Sequence, residues 1–173
     1  MTPELILIQV LGLIAAVLNI SSVQFKRRKM ILAVTIIAAV FWVAHFTLLK
    51  AYTGAALNLV AIIVVSLLYV YHGKNRPYFL IPLLMAVTVA ATLITWAGPL
   101  SLLPMAGMMA GVLAFSQEKE QGIRRYSLVA SSTWLVYNVV VGSVIGSAKE
   151  VTHIISTLIA LWRFKKKSTT IQK

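Results

Sequence analysis

Apolar runs and polar breaks alternate along the chain, and they divide it into seven hydrophobic stretches at residues 3–24, 30–49, 53–72, 77–97, 100–116, 126–142 and 147–163. A helix needs roughly 20 predominantly apolar residues to cross a bilayer, and little of the sequence lies outside these stretches. Continuous strands are excluded, because an open sheet edge leaves backbone groups unsatisfied in hydrocarbon. The pattern therefore predicts an all-α polytopic membrane protein with seven transmembrane helices. The runs that fall short of a full span would be accommodated by tilt or local bilayer thinning. Pro3, Pro77 and Pro99 suit first-turn positions, where the missing amide hydrogen is not needed. The connections are minimal, so successive helices are expected to form antiparallel hairpins.

Charge orients this array. Lys26, Arg27, Arg28 and Lys29 follow the first run, Lys50 the second, and Lys74 with Arg76 the third; Lys119, Arg124, Arg125, Lys149, Arg163, Lys165, Lys166, Lys167 and Lys173 come later. If the runs cross in alternating directions, Lys50 and Lys149 lie opposite all the other basic residues. Short loops rich in Lys and Arg stay in the cytoplasm, which puts the amino terminus outside and the carboxyl terminus, with a tail at 168–173, inside. The first run is not expected to be a cleaved signal. Met1-Thr2-Pro3-Glu4 carries no basic lead, and the positive cluster follows the run.

Composition narrows the function classes. The chain is 60% hydrophobic and 12% charged, which excludes a soluble globular domain. A net charge of +12 would suggest a nucleic-acid partner in a soluble protein. Here the positive residues are topogenic clusters at helix ends and do not line one face of a fold, so the expected partner is the lipid bilayer and no nucleic acid. Cysteine is absent, which removes disulfides, thiolate metal sites and cysteine nucleophiles. Aspartate is absent too, and the acids are Glu4, Glu118, Glu120 and Glu150. Paired-carboxylate hydrolysis and aspartate-held magnesium are thereby excluded, and Gln117-Glu118-Lys119-Glu120-Gln121 has no phosphate-binding glycine pattern. No enzyme activity and no cofactor are expected. Short loops without a soluble domain fit a bacterial inner membrane.

An internal repeat emerges at a shift of 92 residues, which sets Trp42 on Trp134, Gly54 on Gly146, Ala56 on Ala148, and Ile62 and Ile63 on Ile154 and Ile155. The same shift sets His45 over Tyr137 and Asn58 over Glu150. One extra residue in the first loop brings Gln24 onto Gln117. The offset pairs the first three helices with the last three and leaves the fourth as a connector. The expected organisation is a three-helix bundle at 1–76, a connector at 77–98 and a second bundle at 99–167. Three is odd, so the connector restores the starting side and the halves lie parallel, related by an axis along the membrane normal.

This 3+1+3 arrangement resembles the sugar-transporting SWEET proteins and their PQ-loop relatives. The likeness rests on Gly12-Leu-Ile-Ala15 in the first helix, Gln24 at its cytoplasmic end, Trp42 in the second helix, Asn58 in the third, and Leu68-Tyr69-Val70-Tyr71 at its exit. Over nearly the whole chain the sequence is similar to the bacterial inner-membrane YgjV-like family, through Leu11–Lys29, Phe41-Trp42-Val43-Ala44-His45-Phe46 and Ala51-Tyr52-Thr53-Gly54-Ala55-Ala56-Leu57-Asn58. The chain departs from the PQ-loop pattern at the motif proline, since Val23 precedes Gln24 and Ser116 precedes Gln117. A hinge, if the resemblance extends to gating, would then fall near Pro104 or Gly107. Glu150 replaces the asparagine of the SWEET-like last helix, a departure from a neutral sugar pocket.

Polar and ionisable residues inside spans usually face the bundle interior or a wet cavity. Seven candidates for a solute site follow. Trp42 and Trp134 would be stacking walls, Asn58 and Asn138 orienting hydrogen-bond groups, and Glu150 with His45 or His153 a cation or proton carrier. His45 lies three residues after Trp42 and so shares its helix face, and Glu150 and His153 repeat that spacing. At about 1.5 Å of rise per residue, Asn58, Glu150, His153, His45 and Asn138 are expected to converge in the outer half of the bilayer. Each has a structural alternative. Tryptophans near helix ends anchor at the interface, as Trp96 and Trp162 would; the histidines could be interhelical hydrogen-bond donors; Glu150 could be solvated and paired with Lys149. A metal site would need His45 to join Glu150 and His153, since catalytic zinc takes three protein ligands; no metal is expected. Gly107 and Gly111 form GxxxG, a close-packing motif, and Ser131-Ser132-Thr133 reads as packing. The function these residues imply is a small-solute transporter with alternating access, for a sugar or another small polar metabolite. The alternative is a non-transporting scaffold or regulatory protein. Monomer and homo-oligomer both remain open.

Overall fold

The computed structural model describes residues 3–22, 28–71, 77–117 and 120–170. Gln24 and the basic residues Lys26, Arg27, Lys74, Arg76, Lys119 and Lys173 lie outside them. The described residues form seven α-helices: α1 (Pro3–Ser22), α2 (Arg28–Leu48), α3 (Tyr52–Val70), α4 (Leu80–Ile94), α5 (Leu102–Ser116), α6 (Glu120–Val140) and α7 (Val144–Thr170). A short 3-10 turn, Pro99–Ser101, leads into α5.

Helix ends differ from the apolar runs for local reasons. Pro77 precedes α4 and does not open it; its carbonyl accepts the Leu80 N–H at 3.1 Å, and Pro82 takes the first-turn place instead. The sixth helix begins at Glu120, ahead of its apolar run, because Glu and Gln favour helix and a carboxylate suits a helix N-terminus. Among the described residues, two helices are long and apolar enough to cross a membrane by length and composition, Pro3–Ser21 and Val144–Arg163. The apolar parts Ala33–Leu48, Tyr52–Leu67, Leu80–Ile94 and Pro99–Ala114 are shorter. Of the seven spans expected from sequence, two meet length and apolarity together; α2 and α6, at 21 residues each, are as long as α1 but begin with charged and polar residues that shorten their apolar parts.

Each helix packs on the next: α1 on α2, α2 on α3, α5 on α6 and α6 on α7. In addition α3 packs directly on α5 and α1 on α7, while α4 lies against α3 and α5. Burial is the reverse of a water-soluble bundle. Leu7, Leu13, Val17 and Ile20 of α1 are exposed, as are Val144, Ile155, Ile159 and Trp162 of α7, whereas His45, Thr53, Thr88, Thr92, Ser101, Ser131, Asn138, Ser143, Glu150 and Thr157 are buried. Contiguous apolar surface of this extent marks contact with lipid or a partner. Where lipid solvates the outside, helices associate through close packing and interhelical hydrogen bonds, which favours small residues between them. Ala15, Ala16, Ala38, Ala39, Ala55, Ala110 and Ala114 are accordingly buried.

Glycines show how close that packing is. A methyl group at Gly107 would come within 2.6 Å of both Thr133 Oγ1 and Trp134 Cδ1, so α6 needs this glycine on α5. Gly111 faces open space. The GxxxG reading therefore holds for its first glycine and fails for its second, which is turned away from the neighbouring helix.

The hinge between α2 and α3 and that between α6 and α7 share one backbone design. Lys50 has φ 58° and Gly142 has φ 75°. Ala51 N–H donates to Phe46 O at 2.8 Å and Lys50 N–H to Thr47 O at 3.0 Å. Ser143 N–H donates to Asn138 O at 2.9 Å and Gly142 N–H to Val139 O at 3.3 Å. Both are Schellman caps, in which one left-handed residue lets two amides reach back to the last turn. Corresponding residues are 92 apart throughout.

Candidate functional site

Most of the buried polar side chains lie toward one end of the bundle, where α1, α3, α5 and α7 begin and α2, α4 and α6 finish, with Thr88, Ser131 and Thr157 deeper along α4, α6 and α7. His45 is fully buried near the end of α2. Its Nδ1 lies 2.7 Å from the Ile8 carbonyl oxygen and its Nε2 2.7 Å from Ser143 Oγ. A carbonyl only accepts, so Nδ1 carries the proton and donates; in the neutral ring Nε2 then accepts from the Ser143 hydroxyl. One side chain thus binds α1 and the α6–α7 turn to α2. Gly12 makes room for it, since a methyl group there would meet the imidazole at 2.9 Å. Gln9 reinforces the tie: its Nε2 donates to Gly142 O at 3.1 Å, and Ile145 N–H donates to its Oε1 at 3.4 Å.

Tyr137 makes the reciprocal tie. Its hydroxyl oxygen accepts the Gly54 N–H at 3.0 Å, and the hydroxyl lies 3.5 Å from Ala51 O. Gly54 is in the first turn of α3, where the amide has no intrahelical partner, so Tyr137 of α6 caps α3. Thr53 extends the network: Thr53 Oγ1 donates to Thr95 O at 2.7 Å and lies 3.0 Å from Ser101 Oγ, which accepts the Ala97 N–H at 3.0 Å. The start of α3 is thereby fastened to the α4–α5 turn.

Aromatic rings fill the space between these ties. Phe46 stacks on Trp42 with centroids 5.7 Å apart and meets Trp134 at 5.9 Å and Tyr137 at 6.0 Å. His45 stands edge-on to Trp42 at 5.3 Å. Trp42 is buried and Trp134 half-buried. The structure brings the two tryptophans into one cluster, with Phe46 against both.

Asn138, Glu150 and His153 lie where α6 meets α7. A methyl group at Gly146 would touch Ser143 Oγ and lie 2.9 Å from Asn138 Cγ, so Asn138 faces this stretch of α7. Farther along, Ser131 Oγ lies 2.6 Å from His153 Nδ1. Glu150 falls between these two crossings, about 9 Å along α7 from its first residue at 1.5 Å per residue. It is 4% exposed and Asn138 is 2% exposed. Glu150 Oε1 accepts from Lys149 Nζ at 2.6 Å, while Glu150 Oε2 and Asn138 Oδ1 are buried without a hydrogen-bond partner. Buried oxygens of this kind are costly, and each one asks what it is for. The pairing of Glu150 with Lys149 considered from sequence is present, but the carboxylate is buried and not solvated.

Gly146, Glu150, His153 and Thr157 form one stripe on α7, at the spacing of a single helix face. The first, second and fourth are buried, and His153 is exposed. The opposite stripe, Val144, Val151, Ile155, Leu158 and Trp162, is apolar and exposed. His153 is thus accessible on the face that its neighbours bury.

Asn58 lies on α3, one turn after Gly54. It is half-buried, and its Nδ2 donates to Gly54 O at 2.8 Å within its own helix. Among the described residues no three His, Cys, Asp or Glu converge as a metal site. The hydroxyl–imidazole contact of Ser131 and His153 ties α6 to α7. Sequence reasoning did not single out Ser143, Phe46 or Ser101. The one signal available was the shift that lays His45 on Tyr137, the two residues that fasten the repeated turns.

A family model described as Imp-YgjV, bacterial inner membrane protein, matches residues 6–168. No curated protein and no solved structure matches the chain.

Proposed function

Because the chain belongs to the Imp-YgjV family of bacterial inner membrane proteins, we propose that its seven helices cross that membrane, with the amino terminus outside, as a small-solute transporter. In this reading residues 1–76 and 99–167 form two parallel three-helix units joined by α4, as the SWEET resemblance implies, and access alternates as one unit rocks against the other. The matching Schellman caps and the reciprocal ties of His45 and Tyr137 support the duplication. The observation that carries a solute site is the burial of Glu150 and Asn138 with one free oxygen each. A scaffold has no use for an unsatisfied carboxylate oxygen inside a membrane bundle, whereas a binding site keeps one for its ligand. Trp42, His45, Trp134 and the half-buried Asn58 would bound the site, with His153 on its accessible side.

The test is solute uptake by vesicles containing the purified protein, with Glu150→Gln and Asn138→Ala as variants. Transport that is lost in both variants, with both still folded, supports the site; transport of a proven solute that is unchanged in both removes it. The second reading, a non-transporting scaffold, is favoured by the close packing of Trp42, Phe46 and Tyr137. The natural absence of cysteine separates the two. A single His153→Cys variant is labelled by a membrane-impermeant thiol reagent if a wet crevice reaches α7, and is protected if the interior is dry.

A further inference from the structure

We infer that Glu150 and Asn138 bind a compact monovalent cation, carried as the ammonium group of a small organic solute or as an alkali-metal ion, and that Lys149 is its built-in competitor. This deepens the transport reading and rests on it for the route by which a ligand arrives.

The chemistry follows from the atoms left over. Glu150 Oε2 and Asn138 Oδ1 are both acceptors, both are buried, and neither has a donor. The third acceptor, Glu150 Oε1, already shows what the site takes, because it holds the Lys149 ammonium at 2.6 Å. Neighbouring residues on a helix do not ordinarily face each other, so the lysine reaches sideways to a carboxylate that has no better cation. The two partners differ in access: the Lys149 side chain is 27% exposed and that of Glu150 only 5%. Lysine can therefore withdraw its flexible stem to water, while the carboxylate stays behind. Gly146, one turn before Glu150 on the same face of α7, packs on the Asn138 side chain, so we take the amide oxygen to complete the site; with Lys149 gone it would hold three acceptors and one uncompensated negative charge, and a primary ammonium brings three N–H donors and one positive charge. A neutral polyol would leave the buried carboxylate unpaired, which is the costly state.

The experiment measures thermal unfolding of the detergent-purified full chain against methylammonium, sodium, potassium, tetramethylammonium and sorbitol. Saturable stabilisation by methylammonium or by an alkali ion is expected, without stabilisation by tetramethylammonium, which has no N–H and a bulky shell. Methylammonium alone identifies the ammonium source, and an alkali ion alone the metal source. Lys149→Gln should lower the half-saturating concentration roughly tenfold, as when a competitor that holds the site about nine-tenths of the time is removed. Glu150→Gln should abolish the effect; should that variant fail to fold, the direction of the Lys149→Gln shift decides. Equal stabilisation by tetramethylammonium, stabilisation by sorbitol alone, or no cation effect in either the natural chain or Lys149→Gln overturns the inference and leaves an ordered water as the occupant. Uptake of a neutral solute that needs Asn138 but not Glu150 would overturn the cation site while leaving transport intact. Cation binding without uptake would do the reverse.

Discussion

The turn at residues 49–51 and the turn at residues 141–143 have the same reach-back amides and the same left-handed residue, yet they are fastened by different chemistry. The first is held by the Tyr137 hydroxyl on a backbone amide, the second by the His45 imidazole on the Ser143 hydroxyl. The positions around them diverge further. Phe46 in the first turn corresponds to Asn138 in the second, and Asn58 corresponds to Glu150. Phe46 completes an aromatic cluster and the Asn58 amide donates within its own helix, so these two positions are packed and bonded. Asn138 and Glu150 keep a free oxygen each. The two turns share one backbone geometry, with an aromatic cluster beside the first and unsatisfied polar oxygens beside the second.

The largest expected effect comes from cutting the two ties. His45→Ala removes a fully buried ring, its contacts with Trp42 and Phe46, and bonds to two other segments, and should cost about 3 kcal/mol. Tyr137→Phe removes one hydroxyl and leaves the rings in place, so its cost should be that of an interhelical bond in a membrane, about 0.6–1.7 kcal/mol. Thermal unfolding in detergent measures both. Equal losses would mean that the two fastenings are interchangeable and that the contrast drawn between the halves is false.

Much of the frame was legible because apolar periodicity and basic clusters act locally. The existence of seven helices needed no tertiary information, and polar residues such as His45, Asn138 and Glu150 were conspicuous against an apolar background. What each of them does was not legible. Whether Glu150 is solvated or buried depends on the helix packed against it, and Gly107 and Gly111 look identical in sequence although only the first meets a neighbour. Ser143 and Phe46 were overlooked since a serine in a turn and a phenylalanine in an apolar run draw no notice. Their importance comes from partners some 90 residues away.

A second, smaller contrast lies in the glycines that open the two helices. A methyl group at Gly54 would stand 2.9 Å from Tyr137 Cε1 and 3.1 Å from Phe46 Cδ1, between two rings that cannot yield without disturbing the cluster. At Gly146 the neighbours are two short side chains, the Ser143 hydroxyl, which His45 Nε2 engages, and the Asn138 amide, whose Oδ1 has no partner to hold it in place. Overpacking of a tight interior costs about 1–3 kcal/mol, and Gly54→Ala should fall in the upper part of that range with Gly146→Ala in the lower. The readout is again the unfolding temperature, joined for Gly146→Ala by the cation response, which should weaken as Asn138 is pushed aside. A greater loss at Gly146 than at Gly54 would place the rigid half of the molecule on the wrong side.

The smallest effect tests the shared backbone itself. Lys50 and Gly142 hold the same left-handed place, with φ of 58° and 75°. An L-residue there is strained by roughly 1–2 kcal/mol, and glycine is not. A methyl group at Gly142 would meet nothing within 4 Å, and the Gln9 bond to this residue uses its carbonyl, so Gly142→Ala changes the backbone preference alone. It should cost about 1 kcal/mol. Lys50→Gly should run the other way and raise the unfolding temperature slightly, the relief of strain being partly offset by the greater freedom of glycine in the unfolded chain. If Lys50→Gly instead destabilises, its side chain holds something that Gly142 lacks, and the turns are alike in geometry only.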